Sequence, residues 1–499
     1  MRTHSQFGKL LFGVLLLGVP SLAQADVSLP QIFSNHAVLQ KAAKVPVWGR
    51  AAPGEKVVVT LAGARAEGQA GADGQWQVQL DLRAAGKGPV DLVVQGHNRL
   101  TIADVAVGEV WVCSGQSNMA LALAGSLKAE QEIPASANPW LRQYNDGRWT
   151  PAAPASSGAF TAVGYYFGKN LQKRLDVPVG LICAFQSATA IELWISPEGM
   201  DKDPDLKAGK ERVLEADRLF KRLGPGRAPQ AFPAGMFYEN KIQSLFPYAL
   251  QGVIWYQGEG NTERAWQYRT AFPLMIRDWR AHWGRGDFPF YYCQLPNIMA
   301  YRNAPGESQW AELREAQTKT LAVPRTGQAV LIDVGEQDDI HPRNKEVVGE
   351  RLARIALAET YGKNTVASGP VFQSLTVEGD RLRVHFTHTD GGLVARALPA
   401  TYQPRSLDVK MAPLPRNRPL SQLEGFAVCG ADRHWKWADA RIEGDTVVVE
   451  SAEVRKPVAV RYAWADNPIC NLYNVPGLPA GPFRSDDFPL STVKVRYGL

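Results

Sequence analysis

The sequence predicts an α/β domain built on a parallel sheet, flanked by an amino-terminal β domain and a carboxy-terminal β-rich domain. Three observations carry this reading. Between residues 106 and 365, apolar strand-like runs alternate with amphipathic helical stretches, the pattern of a parallel sheet covered on both faces. From residue 26 to 105, short runs alternate apolar and polar residues with period two between turn signals, as in a β-sandwich-like domain. From residue 366 to 499, β-type runs return beyond Gly369-Pro370.

Residues 1–25 read as a cleaved secretory signal. Arg2 and Lys9 precede the apolar stretch 10–19, and Ala23-Gln24-Ala25 supplies a small-x-small cleavage site before Asp26. That stretch is too short for a bilayer span and no later run is long enough, so a secreted or periplasmic chain without a membrane span is expected.

In the amino-terminal domain Lys56-Val57-Val58-Val59-Thr60-Leu61 forms a strand and Asp73-Gly74 a turn. Trp76, Val78 and Leu80 then alternate with Gln75, Gln77 and Gln79. In the central domain strands are expected at 110–113, 179–185, 253–256, 288–293 and 330–334, and one helix places Phe167, Leu171 and Leu175 on a common face. The Pro/Ala/Ser-rich segment 151–158 and the charged segment 197–235 read as surface excursions near strand ends, where they can wall a substrate. Arg381-Leu382-Arg383-Val384 and Thr446-Val447-Val448-Val449 are strands of the last domain.

Composition excludes several functions. The formal charge of +6 falls to +4 once the cations Arg2 and Lys9 leave, and no dense Lys/Arg tract follows a phosphate backbone, which argues against nucleic acid. Five cysteines lack any C-x-x-C pair, so neither a zinc site nor a disulfide framework is indicated. Cys113, Cys183 and Cys293 read as buried small hydrophobes, while a Cys429–Cys470 bond is left open. His-Glu-x-x-His and Gly-x-x-x-x-Gly-Lys are absent, so no metal and no cofactor is expected.

The chemistry gathers at strand ends. Gly115-Gln116-Ser117-Asn118-Met119 follows Val110-Trp111-Val112-Cys113, placing a serine where a buried strand gives way to a helix. A hydroxyl is a weak nucleophile and needs an imidazole to take its proton and a third group to orient that imidazole. Asp338-Asp339-Ile340-His341-Pro342, after the apolar run Ala329-Val330-Leu331-Ile332, supplies both. The Asp-x-x-His spacing favours Asp338 as the orienting acid, with Asp339 competing. The alternative is that both aspartates merely cap a helix starting near Pro342. Of the eight histidines, only His341 combines a carboxylate at useful spacing with a strand end.

Ester attack also develops charge on the carbonyl oxygen, and each donor aimed at it is worth about a hundredfold to a thousandfold in rate. The candidates are the Ser117 N–H, an N–H in the turn Gln186-Ser187-Ala188-Thr189, and the Asn261 side chain. Gln116, Gln257, Glu259 and Trp194 are candidate substrate contacts. Trp194, Trp255 and Tyr256 can either stack on a sugar ring or serve the core. Gly-x-Ser-x-Gly does not surround Ser117, so the usual nucleophile elbow of α/β-hydrolases is excluded.

The segments Gly108 through Met119, Val253-Ile254-Trp255-Tyr256-Gln257-Gly258-Glu259 and Asp339-Ile340-His341-Pro342 together resemble the sialate O-acetylesterase family of SGNH (GDSL-like) hydrolases. The resemblance extends to Leu29-Pro30 through Pro46-Val47-Trp48-Gly49, to Trp310 through Gln317, and to Asn471-Leu472-Tyr473-Asn474 through Pro482-Phe483-Arg484. It implies a three-layer α/β/α esterase domain that removes acetyl groups from sugar hydroxyls without a cofactor, with Ser117 as nucleophile and His341 as base. It also implies that the acid of the pair is more often at the place of Asp339. Where the family has Trp-Gly-Gly-Thr, this chain has Gln186-Ser187-Ala188-Thr189, so the oxyanion-hole glycine is replaced by Ser187 or Ala188, which strains any positive φ required there. Gly260 stands where serine is common, beside Asn261 as side-chain donor. The segment 197–235 replaces a larger insertion.

The expected function is therefore an exported carbohydrate O-acetylesterase with an acetylated glycan as its partner and an activity that falls in acid as His341 protonates. Acetylated xylan or xyloglucan is the rival substrate to acetylated sialic acid. A catalytically silent glycan-binding protein is the rival of another class.

Overall fold

The computed structural model describes residues 26–224, 232–397 and 422–498. The signal segment expected at 1–25 lies outside them.

One long strand, Arg99–Gly115, organises the fold. Its first part pairs antiparallel with Val90–Gln95, its middle parallel with Val38–Gln40, and its last part parallel with both Val179–Phe185 and Gly252–Tyr256. Burial along it alternates up to Asp104 and is nearly continuous from Val105 onward. That is the change expected where a strand leaves a sheet with one solvated face and enters a sheet buried on both faces. The boundary expected at 105/106 therefore falls inside a single strand, and the amino-terminal β region shares one continuous apolar core with the central sheet.

The central sheet runs in the order Thr326–Ala329, Phe290–Cys293, Gly252–Tyr256, Arg99–Gly115, Val179–Phe185, Asn138–Asn145, Arg148–Ala152. Neighbours are parallel except the last pair. The helix Ala162–Leu175 packs on Lys345–Ile355, and Ala265–Trp283 on Gln309–Lys319, giving a mixed sheet with helices of α/β character. The first pair approaches closely because residue 349 is glycine: a Cβ there would lie 2.6 Å from Tyr166 Cβ and 2.7 Å from the Phe167 nitrogen.

Beyond residue 366 two four-stranded sheets enclose a second core. The chain end returns to the central region. Buried Glu312 accepts from the N–H and hydroxyl of both Ser491 and Thr492, and Tyr497 enters the main core.

Two expectations are corrected. The strand expected at 330–334 is Thr326–Ala329. Leu331, Ile332 and Val334 are buried in and beside the turn after it, Leu331 and Val334 in the main core and Ile332 in the second core, so their apolar character reflects a buried turn. The segment 197–235, read as an excursion, contains the helices Pro197–Met200 and Pro204–Leu223. Asp203 caps the second by accepting the Leu206 N–H at 2.9 Å, with Pro204 in the first turn and Gly224 at the end. Among the described residues no disulfide joins Cys429 to Cys470 or links any other pair of cysteines. No described helix is long and apolar enough to cross a membrane.

Candidate functional site

Three strand ends meet at the carboxyl edge of the sheet. Gly115 closes the long strand at φ +132, where a Cβ would sit 2.1 Å from the Tyr256 carbonyl oxygen. Only glycine fits this approach. The Gln116 N–H then donates to Tyr256 O at 2.9 Å and the Gln186 N–H donates to Gly115 O at 3.0 Å, lacing together the turns that begin at 116, 186 and 257. Ser117 opens the short helix Ser117–Ala120 and is half-buried.

His341 reaches it from the turn after Thr326–Ala329. Nε2 of His341 lies 2.8 Å from Ser117 Oγ. On the other side of the ring, Nδ1 lies 3.6 Å from Asp339 Oδ1, and that same oxygen accepts the His341 backbone N–H at 2.8 Å. Of the two competing aspartates, Asp338 is exposed and Asp339 sets a carboxylate oxygen against the imidazole. The capping alternative fails in its expected form, because the helix starts at Lys345 with Asn344 before it. A two-residue Asp-x-His spacing brings the carboxylate to the backbone N–H and the ring together, as in an Asx-turn.

The expected oxyanion donors differ in their surroundings. Among the described residues, no acceptor engages the backbone N–H of Ser117, Ser187 or Ala188. Ala188 has φ +55, so the conformation that favours glycine is retained without one. Asn261 is buried. Its Oδ1 accepts from the Ile191 N–H at 2.8 Å and from Gln257 Nε2 at 2.8 Å, and its Nδ2 donates to Glu192 Oε2 at 3.0 Å. The buried Glu192 also accepts from Arg264 Nε at 3.2 Å. The amide orientation is thus fixed from both ends, leaving one N–H on Nδ2.

Several candidate substrate contacts serve the core instead. Trp194 is 0 % exposed, packs edge-on against Trp255 and donates Nε1 to Thr189 Oγ1 at 3.0 Å. Trp255 and Tyr256 are also buried, so none of the three offers a stacking face. Gln257 is buried with its amide committed to Thr189 O, Asn261 and the Tyr268 hydroxyl. Glu259 turns Oε1 to Asn118 Nδ2 at 2.5 Å, and burial pushes its carboxyl pKa up against that hydrogen bond and the charge of Lys345. Gln116 Oε1 makes long contacts of 3.4 Å with the N–H groups of Gly258 and Gly260, which leaves its amide nitrogen for a ligand.

The sequence reading missed Asn118, Lys345 and Glu192. Each sits within a few residues of a recognised motif, but a buried polar partner has no periodicity or spacing signal of its own. Among the described residues no cluster of His, Cys, Asp and Glu has metal-binding geometry.

Comparison with known proteins identifies the family. Residues 107–358 match the family described as carbohydrate esterase, sialic acid-specific acetylesterase. The chain is 27 % identical to the sialate O-acetylesterase of Mus musculus, covering 95 % of this chain and 97 % of that one. It is 28 % identical to that of Homo sapiens, covering 94 % and 96 %. The crystal structure of a carbohydrate acetylesterase from Xanthomonas citri superimposes with a TM-score of 0.78 at 37 % identity, over 93 % of this chain and all of that one. With matches over the esterase segment and over nearly its whole length, the chain belongs to the carbohydrate esterase family of sialic acid-specific acetylesterases.

Proposed function

We propose that this protein is an exported serine esterase that removes O-acetyl groups from carbohydrates, using a three-layer α/β/α SGNH-type domain flanked by two β domains. The observation that carries the reading is the 2.8 Å contact between Ser117 Oγ and His341 Nε2 at the mouth of the sheet.

In this mechanism His341 Nε2 takes the Ser117 proton as Oγ bonds to the acetyl carbon. The oxyanion receives the N–H groups of Ser117 and of Ser187 or Ala188, with the free Nδ2 hydrogen of Asn261. The C–O bond to the sugar breaks, and the leaving sugar oxygen takes the proton from His341. Water then attacks the acetyl-enzyme while giving its proton to His341, and collapse releases acetate and returns the proton to Ser117. Asp339 stabilises the imidazolium in both halves.

Acetylated sialic acid is the substrate class named for the mouse and human relatives. A second class, acetylated hemicellulose such as xylan or xyloglucan, is kept as the rival, since the Xanthomonas citri protein, 37 % identical, is named only as a carbohydrate acetylesterase. Acetate release from 9-O-acetyl sialosides, acetylated xylan and acetylated xyloglucan separates them: one glycan class is expected to dominate, and release from none overturns the reading. Export rests on Arg2, Lys9, the apolar stretch 10–19 and Ala23-Gln24-Ala25. The mature protein is expected to begin near Asp26 by amino-terminal sequencing, and an unprocessed cytosolic chain would contradict it.

A further inference from the structure

The pairing of Ser117 with His341 leaves a second polar cluster unexplained. Lys345 is 0 % exposed and opens the helix Lys345–Ile355. A cation is disfavoured there twice, by leaving water at a cost of about several kcal/mol and by the partial positive charge of a helix amino terminus. Its compensation is specific. Nζ donates to Asn118 Oδ1 at 2.5 Å and sits 5.0 Å from the centre of the Tyr256 ring. Asn118, itself 0 % exposed, directs Nδ2 to Glu259 Oε1 at 2.5 Å and to Ile340 O at 2.9 Å. The second Glu259 oxygen is buried without a hydrogen-bond partner.

Asn118 is covalently next to Ser117, and Ile340 is next to His341. A single amide therefore ties together the two turns that carry these groups. Its orientation is set by opposite charges, an ammonium on its oxygen and a carboxylate on its nitrogen. Flipping the amide would set nitrogen against the ammonium and oxygen against the carboxylate, and would lose the bond to Ile340.

We infer that Lys345 and Glu259 are positioning residues for ester hydrolysis: their opposite charges lock Asn118 so that Ser117 and His341 stay within hydrogen-bond reach. This rests on the reading of Ser117 as nucleophile and His341 as base. Burial pushes the Lys345 ammonium pKa down to about 8, with Glu259, Cys293, Asp339 and Glu336 opposing that shift, and Tyr256 and Asn118 complete its surroundings. The lock therefore weakens as pH rises through this range.

The test measures kcat and KM for acetate release, and the rate of labelling by a serine-reactive phosphonate, against pH, together with thermal melts. The proteins compared are the wild type, Lys345→Met, Glu259→Gln and the double variant. Either single variant leaves an uncompensated buried charge and is destabilised. The double variant buries neither charge and is the deciding protein. It is expected to fold, to lose about tenfold to a hundredfold in kcat and labelling rate, and to keep KM within about threefold. The alkaline decline of the wild type should disappear in it, and in Glu259→Gln should move to lower pH because the carboxylate favours the ammonium. A double variant within about twofold of wild type in kcat and labelling, an alkaline decline that persists in it, or a wild type without that decline overturns the inference. Ser117→Ala separates the two readings. Activity retained there removes the nucleophile assignment, whereas activity lost there with an unaffected double variant removes only the lock.

Discussion

Asp339 Oδ1 accepts the His341 backbone N–H at 2.8 Å while lying 3.6 Å from the Nδ1 of the same residue. One carboxylate thus shapes the turn and faces the imidazole. Asp339→Asn separates these roles, since it keeps an acceptor for the N–H and removes the charge. It is expected to lower kcat by about tenfold to a thousandfold with a melting temperature near wild type. Asp338→Asn is expected to lower kcat less than Asp339→Asn does. Steady-state kinetics of the two variants decide, and a larger loss at 338 would reverse the assignment.

Asn261 is held by Glu192, and the pair should act as a unit. Asn261→Ala is expected to cost about a hundredfold to a thousandfold in kcat. Glu192→Gln, which removes the charge and keeps the shape, should cost about tenfold, and the double variant should be no worse than Asn261→Ala alone. Additive losses in that double-mutant cycle would show that Glu192 acts elsewhere.

Ala188 at φ +55 stores strain that glycine would not. The left-handed conformation costs a non-glycine residue about 1–2 kcal/mol, and glycine's extra chain entropy returns about 0.5–1 of it. Ala188→Gly is therefore expected to be neutral to about 1 kcal/mol more stable in denaturant melts with activity retained. Ala188→Val should lose stability and kcat together, and a stabilised valine variant would show that the turn does not need positive φ.

Lys345 also makes stability depend on pH. The folded side chain holds its proton to about 8 and the unfolded one to its ordinary 10.5, so between these values the unfolded chain binds more protons at this residue. Its contribution to unfolding free energy therefore rises with pH across that window. The stability of the wild type relative to Lys345→Met/Glu259→Gln should increase from about pH 8 to about pH 10, as read by denaturant melts. A relative decrease would contradict the burial of a protonated Lys345.

Much of this was legible in the sequence because it is written in local patterns. The alternation from Gln75 to Leu80 became a strand with alternating burial, and the run at 179–185 became the strand Val179–Phe185. Ser117 and His341 were legible as strand-end residues. What escaped was set by long-range packing. Leu331 and Ile332 look like strand residues but are apolar because a turn is buried, Ile332 against the carboxy-terminal core. Gln257 lies in a motif segment and Trp194 just beyond the turn 186–189, yet both are buried, and nothing in a linear pattern distinguishes the inward from the outward face of a turn. The helix Pro204–Leu223 carried legible signals in Asp203, Pro204 and Gly224, outweighed by its charge.

The central claim is an acetyl-enzyme on Ser117, and trapping it is the most direct test. Wild-type protein mixed with an activated acetyl ester, quenched in acid during turnover and mapped by peptide mass spectrometry should carry the mass of one acetyl group on the peptide containing Ser117. Ser117→Ala should show neither the adduct nor acetate release above background. Acetate release that persists in Ser117→Ala, or an acetyl group found on another residue at turnover rate, would contradict the account.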